Sequence, residues 1–178
     1  MKRFIIIIIV ILIPGVVFAA KPCERATVVK VSDGDTVKVV CNGDKLTIRL
    51  IGIDTPETHR PNTPVQCYGR EASQYLKQRL EGKRIRLKYD VERMDKYGRT
   101  LAYVYRGGTF INAEMIKKGY AFAYRRYYHK YKDKFIGYEE KAKRKGRGLW
   151  GACKIKCNGS ICHTSSYTSE VSRSPKGK

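Results

Sequence analysis

The sequence predicts a mainly β, α+β fold: a partly open five-stranded barrel accompanied by about three helices. Three observations predict it. Short β-branched runs near the start are joined by an Asp-Gly-Asp turn and an Asn-Gly turn, which makes a three-stranded meander. A helical periodicity then interrupts the strands, and two further strand-like runs follow it. The other helical signals lie behind the last of those runs.

Taken in order, residues 26–31 read as the first strand, because Thr27, Val28, Val29 and Val31 are β-branched. Ser32-Asp33-Gly34-Asp35 is the turn, 36–41 the return strand, and Asn42-Gly43 a strong hairpin signal. Residues 45–53 are the third strand, whose alternation puts Leu46, Ile48 and Leu50 on one face and Thr47, Arg49 and Ile51 on the other. A helix is expected over 69–81, with Ala72, Tyr75, Leu76 and Leu80 at helical spacing and Gly82 at the stop. Strands follow at 84–91 and 100–106. Asn112 has the character of an N-cap for a short helix carrying Met115 and Ile116, and a last helix covers 135–145. A helix placed between strands three and four of a five-stranded barrel is the OB-fold pattern, with a small α+β sheet as its competitor.

Three segments flank this region. Residues 1–19 have a positive start, an apolar stretch and small residues at Val17 and Ala19, the pattern of a cleaved secretory signal; an uncleaved anchor is the alternative. The expectation is therefore a secreted or periplasmic protein with no membrane span after cleavage. Residues 20–25 form a lead-in, 26–150 the barrel domain, and 151–178 a cysteine-containing, otherwise flexible basic tail. The six cysteines all follow the signal, and an even count in an exported chain favours disulfides. Cys23 and Cys41 flank a hairpin at similar distances and are a reasonable pair. Cys153, Cys157 and Cys162 with His163 leave a zinc site open as the alternative to pairing.

The net charge is +21, from 37 Lys and Arg against 16 Asp and Glu. Such a surplus selects polyanionic partners, whether nucleic acid, membrane surface or wall polymer, and makes binding salt-sensitive. Against that basic background the carboxylates are few and their grouping matters. Asp33-Gly34-Asp35 alone is an ordinary turn; in company, Asp35 is a metal ligand at the barrel mouth. Asp54-Thr55-Pro56-Glu57 follows an apolar strand directly, so Asp54 and the Thr55 carbonyl complete a hard-oxygen site and Glu57 is placed to hold a water. Alone, the same block would serve as a helix cap or loop cluster. Arg49 and Arg99 come from separate strands and supply two rigid donor forks for phosphate oxygens. Basic residues and tyrosines interleave from Lys117 to Lys132, either to grip a strand or as a solvated face with half-buried rings.

These blocks, with Tyr68-Gly69-Arg70-Glu71-Ala72 and Asp95-Lys96-Tyr97-Gly98-Arg99, resemble the signature blocks of the thermonuclease (staphylococcal-nuclease-like) family, in order and at similar spacing, from about Ala26 to Trp150. The resemblance implies an OB-fold and a calcium-dependent phosphodiesterase acting on DNA and RNA through one Ca²⁺ ion, with 3′-phosphate products. It implies catalytic Arg49, Glu57 and Arg99, metal ligands Asp35, Asp54 and Thr55, and Lys96 and Tyr97 beside the bound nucleotide. It implies no stable protein partner, and a monomer is expected. The tyrosine-rich loop departs from the family pattern, so Tyr124, Tyr127 and Tyr128 have no individual assignment. A nucleic-acid-binding OB module without catalysis is the alternative function; it has no physical need for Glu57 beside a phosphate.

Overall fold

A computed structural model describes residues 22–58, 64–159 and 161–166. The expected signal at 1–19 lies outside them, as does the end of the tail. Five strands form the barrel: β1 (Arg25–Asp33), β2 (Thr36–Cys41), β3 (Asp44–Leu50), β5 (Arg84–Lys88) and β6 (Thr100–Arg106). Two-residue strands β4 (Ile53–Asp54), β7 (Thr109–Phe110) and β8 (Phe122–Ala123) attach around it. The helices are α1 (Gly69–Leu80), α2 (Ile111–Lys117), α3 (Lys132–Arg144) and α4 (Leu149–Ala152), and a hairpin of β9 (Ile155–Asn158) and β10 (Ile161–Thr164) ends the described chain.

The meander arises as the turn chemistry requires. Antiparallel β1 and β2 meet at Asp33 opposite Thr36, and β2 and β3 at Cys41 opposite Asp44, across Asn42 and Gly43, both with positive φ. β5 pairs with the start of β1 and with β6. The barrel is closed rather than partly open: β3 and β6 pair in parallel, with Ile48 opposite Thr100, Arg49 opposite Leu101 and Leu50 opposite Ala102. Closure removes the edges that an open sheet would leave exposed. Val28, Val37, Val39, Ile48, Leu50, Leu87 and Val104 fill the interior, and Leu76 and Leu80 of α1 cap it from one end. Each such fully buried side chain contributes about 2 kcal/mol. α2 and α3 pack against the barrel's flank through Ile111, Met115, Ile116 and Phe135.

Several boundaries differ from the sequence expectation, each for a visible reason. β3 stops at Leu50 because Gly52 turns the chain at φ +76°. β5 stops at Lys88 because Asp90 draws the chain aside, accepting from the Val91 amide, the Lys130 amide and the Tyr103 hydroxyl. Asn112 is no cap. The cap position of α2 is Phe110, and Asn112 sits buried within the helix, accepting from the Val104 amide at 2.9 Å and donating to the Ile51 carbonyl at 2.8 Å. α3 begins at Lys132 rather than 135, and α4 raises the helix number to four.

All six cysteines are paired: Cys23–Cys41, Cys67–Cys153 and Cys157–Cys162. The first is the pair expected from the hairpin. The other two overturn the zinc alternative, since no thiolate remains beside His163. They also organise residues 151–166, where no strand was expected. Cys157 faces Cys162 across the β9–β10 hairpin, and Cys67–Cys153 ties its base to the loop before α1. No helix among the described residues is long and apolar enough to cross a membrane.

Candidate active site

Strand register brings the site together. Asp35 lies in the β1–β2 turn, Arg49 near the end of β3, and Asp54 at the end of β4, which pairs with β8. Thr36 is the cross-strand partner of Arg49, so the turn carboxylate and the guanidinium lie side by side. Gly34 matters here: a Cβ on it would sit 2.8 Å from the Thr55 hydroxyl, so only glycine lets the turn approach the Asp54 loop this closely.

Arg49 is the hub. Its Nη2 is 3.0 Å from an Asp35 carboxylate oxygen and 3.0 Å from an Asp54 carboxylate oxygen. Its Nη1 donates to the carbonyls of Ile53 at 2.9 Å and Leu50 at 3.3 Å. Both of its terminal nitrogens are thus engaged by protein oxygens. Asp35 is buried, and the Thr36 hydroxyl donates to one of its oxygens while the Thr55 amide and hydroxyl donate to the other. Those bonds do not engage the Thr55 carbonyl.

Asp33 stands beside this group. Burial and the Asp35 charge push its carboxyl up to about 6; a hydrogen bond with Glu57 adds to the rise, and the Gly34 amide and Thr58 hydroxyl oppose it. Four carboxylates therefore gather at one end of a strongly basic molecule: Asp33, Asp35, Asp54 and Glu57. Two of them converge on a single nitrogen of Arg49, so one small cation could bridge both. The donor set is all oxygen, which suits a hard ion such as calcium. Among the described residues, no group of three or more His, Cys, Asp and Glu side chains is arranged as a complete metal cage. A cation here would need backbone carbonyl, water and substrate oxygens as well.

Glu57 is held through its backbone. Its amide donates to the Gln66 side chain at 2.9 Å, and its carbonyl accepts from the Gln66 amide at 3.0 Å. The same segment is clamped from the tail: the Cys67 amide donates to the Ser165 carbonyl, and the Thr164 hydroxyl to the Cys67 carbonyl at 2.7 Å. Gln66 is the residue that sequence reasoning missed. The only signal for it was its place next to Cys67.

Arg99 precedes β6. Leu101, two residues on, is the partner of Arg49, so Arg99 and Arg49 share one face of the sheet. Its Nε is 2.7 Å from Asp95, whose pKa burial would raise but which the backbone and side-chain hydrogen bonds of Arg99, with the Tyr97 amide, hold below 3.8. Arg99 is thus anchored to its own loop through Asp95. Tyr97 is 71% exposed, with the Lys96 ammonium 5.1 Å and the Arg99 guanidinium 5.3 Å from its ring centre.

The basic, tyrosine-rich stretch divides. Tyr120 stacks on Tyr75 at 4.2 Å, and Tyr131 packs among Tyr103, Phe110 and Phe135, so these rings are structural. Tyr127 and Tyr128 are exposed, and Tyr124 lies half-buried against Tyr127.

Residues 47–152 match the family model described as staphylococcal nuclease homologue. The chain is 43% identical over 124 residues to a thermonuclease of Staphylococcus hyicus, covering 69% of this chain and 73% of that one. It is 44% identical over 130 residues to a thermonuclease of Staphylococcus intermedius, covering 71% and 76%. It is 40% identical over 133 residues to the endonuclease YncB of Bacillus subtilis, covering 73% and 63%.

Proposed function

Given that the chain belongs to the staphylococcal nuclease homologue family and is a nuclease, a hydrolase of phosphodiester bonds, we propose that it is exported and cuts DNA and RNA with the help of one calcium ion, leaving 3′-phosphate ends. The observation that carries this reading is the meeting of Asp35 and Asp54 on Arg49 at the barrel end, beside Glu57.

Asp35, Asp54 and the Thr55 carbonyl would hold the ion. When bound, calcium would supply positive charge and Lewis acidity beside the phosphate. Glu57 orients a water for in-line attack on phosphorus and takes up its proton. A new P–O bond forms from that water, the bond to the 5′ oxygen breaks, and the departing oxygen is protonated from solvent. Arg49 and Arg99 neutralise charge on the equatorial oxygens. Arg49 gains a phosphate as its Nη2 leaves the carboxylates, while Arg99 stays on Asp95 through Nε and meets the phosphate through its Nη donors. Lys96 and Tyr97 flank the nucleotide, the ring offering a surface for a base. The three disulfides support an oxidising, exported setting.

The test is cleavage of single-stranded DNA with calcium and with a chelator, with the product ends identified. Cleavage that needs calcium and leaves 3′-phosphates is expected; cleavage indifferent to the chelator would overturn the cofactor. In Glu57→Gln, turnover should fall about 10²- to 10⁴-fold while DNA affinity in chelator stays within twofold. An equal loss of both would remove Glu57 from the chemistry.

A further inference from the structure

The outer face of β1 carries a feature that the active site does not use. Cross-strand neighbours of like charge destabilise a sheet, yet two such pairs lie along this one strand. Arg25 stands directly opposite Arg86 of β5, and Lys30 directly opposite Lys38 of β2. All four residues are exposed. Arg84 extends the first pair from its place opposite Thr27. Among the described residues none of the five has an ion-pair partner; Glu24 and Asp44 flank the row and pair with none of them.

The far pair borders a cleft of about 570 Å³, lined by Arg25, Thr27, Arg84, Arg86, Tyr105 and Gly108. Tyr105 is the strand partner of Arg86, whose guanidinium lies 5.3 Å from its ring centre, with the Lys88 ammonium at 5.4 Å. The row has a direction. β1 runs from Arg25, at the cleft, to Asp33, beside the candidate active site, with the Lys30–Lys38 pair between. Repulsion that no ion pair among the described residues relieves is relieved by a polyanion laid along the strand.

We propose that this face is a second nucleic-acid contact: a track for the phosphodiester backbone leading from the active site past Lys30 and Lys38 to the Arg25–Arg84–Arg86 cleft. The proposal rests on the nuclease reading above for the identity of the polyanion. The nine residues of β1 span about 30 Å at 3.3 Å each. A strand much shorter than that cannot occupy both ends.

The test is equilibrium binding of single-stranded DNA in chelator, so that cleavage and calcium play no part and failure of the nuclease chemistry leaves the result readable. The triple variant Arg25→Gln, Arg84→Gln, Arg86→Gln is compared with Lys141→Gln, Arg144→Gln, Lys145→Gln, which removes equal charge from the end of α3. For a strand of about 20 nucleotides the cleft variant should bind about tenfold more weakly than the control variant, with a salt slope shallower than wild type by about 2. For a trinucleotide the two variants should agree within twofold. Equal losses in both variants on the long strand would reduce the effect to net charge and overturn the track. So would a loss in the cleft variant as large for the trinucleotide as for the long strand. A thermal melt of each variant within a few degrees of wild type guards against a folding artefact; if the cleft triple melts early, the single variant Arg84→Gln should show the same length-dependent loss in smaller measure, and its absence overturns the proposal.

Discussion

At the scale of single residues, the polar groups that matter are those joining elements distant in sequence. Asn112 binds the Val104 amide in β6 and the Ile51 carbonyl beyond β3. Its replacement by Ala leaves both groups buried and unpaired, so unfolding stability should fall by roughly 3 kcal/mol, measurable as an early denaturant midpoint; a loss under about 0.5 kcal/mol would show that water replaces the amide. His129 makes a second case. Its ring fills the space over Gly52, where a Cβ would lie 2.4 Å from Cε1. Burial lowers its pKa below 6.5, against the opposing pull of the Tyr124 backbone and the Asp90 charge. The unfolded chain therefore takes up the proton first, so the contribution of His129 is fully present above pH 6.5 and is lost as the pH falls through 6.5 toward the folded value. Asp33, raised to about 6, acts in the opposite sense and gains stability as the pH falls from that value. The His129 effect is thus read as a difference: urea unfolding from pH 8 to pH 5 should show a steeper acid loss in wild type than in His129→Leu. Parallel curves would mean that His129 stays solvated.

At the scale of elements, the tail hairpin connects the disulfides to Glu57, the proposed water-holding residue. The Cys67–Cys153 bond spans 86 positions and fixes the base of β9 and β10 against the loop that bears Gln66, which in turn holds the Glu57 amide. In the chain-entropy picture a loop of that length is worth roughly 4.6 kcal/mol. Cys67→Ser with Cys153→Ser should lower the melting temperature clearly. It should also lower kcat on DNA by more than it raises KM, because the part released is the support of Glu57. Gln66→Leu, with the disulfide intact, should reproduce the loss in kcat with a smaller loss of stability. Unchanged turnover in both variants would make the hairpin a staple without influence on the site.

Across the whole molecule, charge is segregated. The surplus of +21 leaves most surfaces positive, while Asp33, Asp35, Asp54 and Glu57 collect at one end of the barrel. The basic exterior suits a polyanion, and the proposed mechanism places its cation at the acidic end. DNA affinity should then fall linearly on a log–log plot against salt, losing about 10³ between 50 and 200 mM if some six phosphates are contacted. A flat plot, measured by anisotropy in chelator, would contradict electrostatic capture.

By itself the sequence determined the barrel class, the meander and α1, and it singled out the candidate site blocks. Those signals are local: β-branched runs, turn residues and helical spacing act within a few positions. The Cys23–Cys41 pair was legible because both cysteines flank one hairpin. What tertiary structure decided was everything that joins distant parts. The parallel closure of β3 on β6 sets Arg49 and Arg99 on one face. Asn112, in the guise of a cap, is a bridge between strands. Cys153, which could have bound a metal, reaches back to Cys67, and through Gln66 to Glu57. Pairing across such separations depends on the three-dimensional return of the chain, for which spacing along one sequence carries no signal.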